Sequence, residues 1–130
     1  MVLIDTHLLY TKFELQMKYD LEERTYKFAS DIRFFFRSLS RSIANLEDGK
    51  QLIRASGSVA ANYIEANDSL SKKEFIYRVK ICRKESKEAI LFLRLLDVNS
   101  ISEGEQRRVN LIDEATQLMK IFGAILHKSK

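Results

Sequence analysis

The chain has 130 residues, with 22 Lys and Arg against 18 Asp and Glu, a formal net charge of +4, one cysteine, four glycines and no proline. That length suits one domain around a single core, the lone Cys82 excludes a disulfide framework and a Cys-rich zinc site, and the shortage of turn residues argues against a β architecture. The longest apolar runs fall well short of the roughly 20 residues that span a bilayer, and no basic segment with an apolar stretch and cleavage site opens the chain, so a reduced cytoplasm away from membranes is the expected location.

Residues 1–16, "MVLIDTHLLYTKFELQ", precede the first helix-start signal. They are expected to form an N-terminal arm, mobile or ordered by a partner, and Met17 could itself open a complete four-helix domain over residues 17–130. Three Ser/Asp-x-x-Glu pairs then mark helix starts, because an N-cap oxygen and a Glu three residues on can satisfy free backbone N–H groups reciprocally. They are Asp20 with Glu23, Ser71 with Glu74, and Ser102 with Glu105.

In the first predicted helix Leu21, Thr25, Phe28, Ile32, Phe35 and Leu39 recur every three or four residues and define a core face. Phe34 and Phe36 fall off that face. Contact with a second subunit and tight packing within the bundle both account for them. The second helix, from about Leu46 to Ala66, carries Ala55, Ser56, Gly57, Ser58, Ala60 and Ala61, small residues that let helices approach closely. Gly57 costs about 1 kcal/mol relative to Ala in a helix, which assigns it a steric role.

The third helix, from Lys72 to about Val98, would be about 40 Å long. Its buried face is Phe75, Val79, Cys82, Ser86, Ala89 and Leu93. Lys73, Lys80, Arg83, Lys84, Lys87 and Arg94 fall in a neighbouring sector of about 100° and extend along roughly 30 Å of helix. Glu74, Glu85 and Glu88 gather on the opposite flank. Two readings of the basic sector stand: a surface for successive phosphates, or a solvated face and intersubunit ion pairs. Tyr77 and Ile76 border it, with Tyr77 read first as a half-buried packing residue and second as a platform for a base. The fourth helix, about Glu103 to His127, has Val109, Ile112, Ala115, Met119, Phe122 and Leu126 as its apolar face. Four long helices on short connectors fold most simply as an all-α, antiparallel up-down-up-down four-helix bundle.

No residue set points to catalysis. His7 and His127 lie near opposite ends of the chain, and His127 reads as a cation at a helix C-terminus. Cys82 reads as a small buried hydrophobe rather than a nucleophile. Glu65 and Asp68 lack the Glu-x-x-His partners of a di-iron bundle, and no glycine-rich phosphate loop is present. The expectation is a protein that is not an enzyme, with no cofactor and no metal. RNA-recognition, KH and zinc-finger signatures are also absent, so any nucleic-acid contact should follow backbone charge and shape rather than base identity.

The stretches "DLEERTYKFASDI" and "QLIRASGSVAANYIEANDSLSKKEFIYRVKICRKESKEAILFLRLL" resemble the four-helix-bundle family encoded in intervening sequences of bacterial 23S rRNA genes. The likeness runs from about Asp20 to Asn99 and weakly through the last helix, carried by the small-residue segment, Ala61-Asn62-Tyr63, Glu65-Ala66 and Ser71-Lys72-Lys73-Glu74-Phe75. Ala60 stands where the family more often has Gly, and Phe92-Leu93-Arg94 replaces an aromatic before the final Leu pair. The resemblance implies a bundle assembled as a homopentamer. It also implies kinship with the accessory variability protein of diversity-generating retroelements, a basic pentamer that binds a reverse transcriptase and nucleic acid. It defines no catalytic residue. Two functions are therefore expected: RNA or DNA binding through Lys73, Lys80, Arg83, Lys84, Lys87 and Arg94, or a protein-interaction scaffold, for example an accessory subunit of a reverse transcriptase.

Overall fold

The computed structural model describes residues 11–99 and 102–130. Those residues form four helices and no strand: α1 (Lys12–Arg37), α2 (Ile43–Asn67), α3 (Lys72–Leu95) and α4 (Ser102–Lys128). Consecutive helices pack on one another, most extensively α2 on α3, and α1 also meets α4. The expected all-α bundle is therefore present. Along α2 and α3 the partners run in opposite order: Asn45 meets Asp97, Arg54 meets Glu85, and Asn62 meets Arg78.

The core stripe expected on α1 is buried at all six positions, Leu21, Thr25, Phe28, Ile32, Phe35 and Leu39. The start of that helix differs from expectation. Asp20 lies inside a continuous helix that begins at Lys12, and its carboxylate accepts from Gln16 Nε2 at 3.0 Å rather than capping a terminus. A helix nucleated upstream has no free N–H at that point for Asp20 to satisfy. Residues 12–16 of the expected arm are thus helical, and residues 1–10 lie outside the described residues.

Ser71 does cap α3, accepting from Glu74 N at 3.1 Å, while Glu74 reaches back to Leu70 N at 3.2 Å. The third box turns the other way. Glu105 pairs forward with Arg108, whose guanidinium also donates to the carbonyls of Leu93 and Leu96 and so closes the C-terminal end of α3. The α4 stripe is rotated from the expected one. Leu111, Ala115, Leu118 and Phe122 are buried, Ile112, Met119 and Leu126 are half-buried, and Val109 is exposed. Phe122 meets Tyr63 of α2 with ring centroids 5.9 Å apart, across the core.

Phe34 is 62% exposed, whereas Phe36 packs against the core. Its ring occupies the space over Gly49, where an added Cβ would lie 2.1 Å from the nearest ring carbon. Gly49 is therefore the sterically required glycine. At Gly57 a Cβ would meet only the terminal nitrogen of the exposed Arg33 side chain, at 3.1 Å. A buried polar group also holds one end of the bundle. Asn45 Nδ2 donates to the carbonyls of Ser40 at 3.0 Å and Asp97 at 2.9 Å, and Asn45 Oδ1 accepts from Asp97 N at 2.9 Å. One side chain thus ties the α1–α2 connector to the segment following α3.

Asn45→Ala is expected to destabilise the fold by about 2 kcal/mol, the loss of two to three hydrogen bonds at about 1 kcal/mol each, measured by urea denaturation. Gly49→Ala should destabilise by about 1–3 kcal/mol through overpacking of the Phe36 ring. Gly57→Ala, judged by the same melt, should lie between neutral and about 1 kcal/mol stabilising, since the arginine can swing aside and the helix gains propensity.

Candidate nucleic-acid interface

Val79, Cys82, Ser86, Ala89 and Leu93 of α3 are buried and Phe75 is half-buried, so the face read from the sequence is the one in the core. At 100° per residue this fixes the direction of every other side chain on the helix. Lys73, Lys80, Arg83, Lys84, Lys87 and Arg94 are all exposed. None of the six closes an ion pair, within 4 Å, with a carboxylate among the described residues.

The six cations do not form one flat strip. Lys80, Arg83, Lys84 and Lys87 line an open depression with Glu88 and with Leu126 of α4. Arg83 leans over α4, its Nε 3.6 Å from where a Cβ on Gly123 would stand. A second depression at the start of α3 is lined by Lys72, Lys73, Ile76, Tyr77 and Lys80. Lys80 belongs to both and joins them, whereas Arg94 lies beyond either, near the C-terminal end of the helix.

Two polar clusters flank this surface, and periodicity along one helix could not have found them because each spans two helices. In the first, Arg54 of α2 donates to Glu85 at 2.8 Å and to Glu88 at 3.2 Å. Glu85 is buried. Burial by itself pushes its pKa up, but hydrogen bonds with Glu88, Arg54 and Ser58 outweigh that and hold the carboxyl below its ordinary range. The hydrogen bond to Glu85 and partial burial push Glu88 above it.

In the second cluster Asn62 donates to the carbonyl and hydroxyl of Ser58, both at 3.0 Å, and its Oδ1 accepts from Arg78 Nη1 at 2.9 Å. Arg78 in turn lies 5.7 Å from the centroid of the Tyr77 ring. Tyr77 is 59% exposed, not half-buried as first read, because it projects nearly opposite the core face of α3.

The other sequence-level candidates hold no site chemistry. Burial pushes the Cys82 thiol up to about 12, and its Sγ lies 3.5 Å from the Val59 carbonyl. Asp68 is the C-cap of α2, and His127 lies in the last turn of α4. His7 lies outside the described residues. Among the described residues no group of three or more His, Cys, Asp and Glu is placed to hold a metal ion, and no helix is long and apolar enough to cross a membrane.

The model of the 23S rRNA-intervening sequence protein family matches residues 15–124, which takes in most of α1, all of α2 and α3 and most of α4. A crystal structure of a protein of unknown function from the S23 ribosomal protein family of Bacteroides thetaiotaomicron superposes with a TM-score of 0.71 at 24% identity, covering 81% of this chain and 96% of that one. No curated protein matches the chain in sequence.

The carboxyl pair generates a pH dependence whose two members act in opposite directions. Glu88 has a raised value in the folded chain, so its ionised form lowers stability above that value and ceases to do so below the unfolded value. Glu85 has a depressed value, so its contribution is present above the unfolded value and is lost as pH falls through the folded one. Glu88→Gln is therefore expected to be more stable than the wild type at neutral pH, with the gap closing as pH drops through the carboxylate range. Thermal melts across that range check this, and a constant gap would contradict it.

Proposed function

The chain belongs to the 23S rRNA-intervening sequence protein family, and from that membership and the geometry of α3 we propose that it is a non-enzymatic, oligomeric nucleic-acid-binding protein. The observation that carries this reading is the exposure of six cations on one helix, none of them in an ion pair with a carboxylate among the described residues. Lys73, Lys80, Arg83, Lys84, Lys87 and Arg94 contact successive phosphates, and binding follows backbone charge with little regard to base identity.

In this reading the bundle has up-down-up-down order and assembles as a homopentamer. Tyr26 at 66% and Phe34 at 62% exposure lie on the outer side of α1 and supply apolar area for a subunit contact. Assembly repeats the basic face around the oligomer and raises avidity without any new contact in the chain. A second reading, an accessory subunit of a protein partner such as a reverse transcriptase, draws on the exposed Leu91 and Leu95 beside the basic sector. Kinship with the accessory protein of diversity-generating retroelements belongs to that reading.

Salt titration separates the two. Single-stranded nucleic acid engaging six cations should give a slope of log K against log salt of roughly −4, at about −0.7 per phosphate. The triple variant K80E/K84E/K87E should cut that slope by about half or more and weaken binding at every sequence tested, with helix content and assembly mass unchanged by circular dichroism and light scattering. A wild-type protein that binds neither RNA nor DNA at low salt would leave the accessory-subunit reading in its place.

A further inference from the structure

Resting on that phosphate-binding reading, we infer that the start of α3 is a stacking site for an unpaired nucleobase, with Tyr77 as the platform, so that the ligand is single-stranded rather than duplex nucleic acid. The basic face alone does not distinguish the two, since both present phosphates. Tyr77 does. Its ring lines a depression with Ile76 and three lysines, Lys72, Lys73 and Lys80, and it is 59% exposed, whereas Phe75 and Phe92, the other aromatic rings of the helix, are half-buried. Lys73 lies four residues before it and Lys80 three after, so cations stand about one turn away on either side.

A charged groove with an aromatic platform set into it is what single-strand binding requires: phosphates track the cations while a base, freed from its partner, lies on the ring. In a duplex the base faces are stacked on one another and only edges and phosphates are offered. Ile76 supplies an apolar floor beside the ring.

The platform is also held in place. Ser58 accepts from Asn62, Asn62 accepts from Arg78 at 2.9 Å, and the Arg78 guanidinium sits 5.7 Å from the ring centroid, within cation–π range. The tyrosine therefore loses little freedom when a base arrives, which favours binding. The ligand chemistry is an unpaired base with its flanking phosphates, from RNA or from DNA.

The full chain has no tryptophan, so Tyr77→Trp introduces a single indole at the platform. Wild type, Tyr77→Ala, Tyr77→Phe and Tyr77→Trp are titrated with a short single-stranded RNA, the DNA strand of the same sequence, and the two corresponding duplexes at fixed low salt. Tyr77→Ala should weaken single-strand binding about 10-fold and leave duplex binding unchanged, Tyr77→Phe should retain wild-type affinity, and single strands alone should quench Tyr77→Trp fluorescence. Equal quenching by RNA and DNA makes the base the common element, and a preference for RNA adds a 2′-hydroxyl contact; both support the site. If Tyr77→Ala binds single strands like the wild type while K80E/K84E/K87E does not, the stacking site is wrong and the phosphate reading stands. If the wild type binds neither form, both fall.

Discussion

The seam between α2 and α3 is the contact on which the rest of the molecule depends. Val59 and Cys82 meet there, with Cys82 Sγ 3.5 Å from the Val59 carbonyl, and both helices carry small buried residues, Ala55 and Ser56 on α2 and Ser86 and Ala89 on α3. Small side chains make that separation possible, and interiors are packed too densely for the helices to roll without opening voids. The rotation of α3 about its own axis is thereby set, and with it the outward direction of the lysines, the arginines and Tyr77. A larger residue in the seam would alter the surface as much as the core.

Polar groups at the margins of the seam set its register along the axis. Asn45 grips the backbone of Asp97 at one end, Arg54 spans to Glu85 and Glu88 in the middle, and Asn62 holds Arg78 near the other end. Apolar packing tolerates small slides, whereas a hydrogen bond lost in a partly buried setting leaves a group without a partner and costs about 1–3 kcal/mol. The burial of Glu85 is compatible with charge because Arg54 answers it directly. On the far side of the bundle Arg24 of α1 grips Glu114 of α4 through two contacts of 2.8 Å, bringing the first helix to the last.

Much of this was legible in the sequence. The stripes of α1 and α3 could be read residue by residue because each is flanked by charge, leaving one apolar direction to bury. The α4 stripe was not, since Leu111, Ile112, Leu118, Met119, Ile121 and Phe122 spread over adjoining directions, and the choice among them rests on where α1 and α3 stand. Asp20 and Glu23 have the spacing of a cap, but a local pattern does not report that the helix has already begun eight residues upstream. Gly57 stood out among small neighbours, yet Gly49 meets the bulky ring, a fact held by Phe36 on a different helix. What single-helix periodicity missed is whatever takes two helices to make: the Arg54 cluster, the Asn62–Arg78–Tyr77 chain and the Asn45 clasp.

The unpaired cations of α3 also carry a thermodynamic consequence for the isolated protein. Lys80 with Arg83 and Lys84, and Lys87 with Arg83 and Lys84, are like charges three or four residues apart, where each pair opposes helix formation by about 0.2–0.5 kcal/mol. Four such pairs leave the resting bundle under a mutual repulsion of about 1–2 kcal/mol. Any polyanion that neutralises the row removes that strain, so part of its binding energy is returned as firmness of the helix that binds it. Simple electrolyte does the same by screening while it competes for the surface. Ionic strength thus pulls the molecule in two directions, toward a tighter fold and a looser grip.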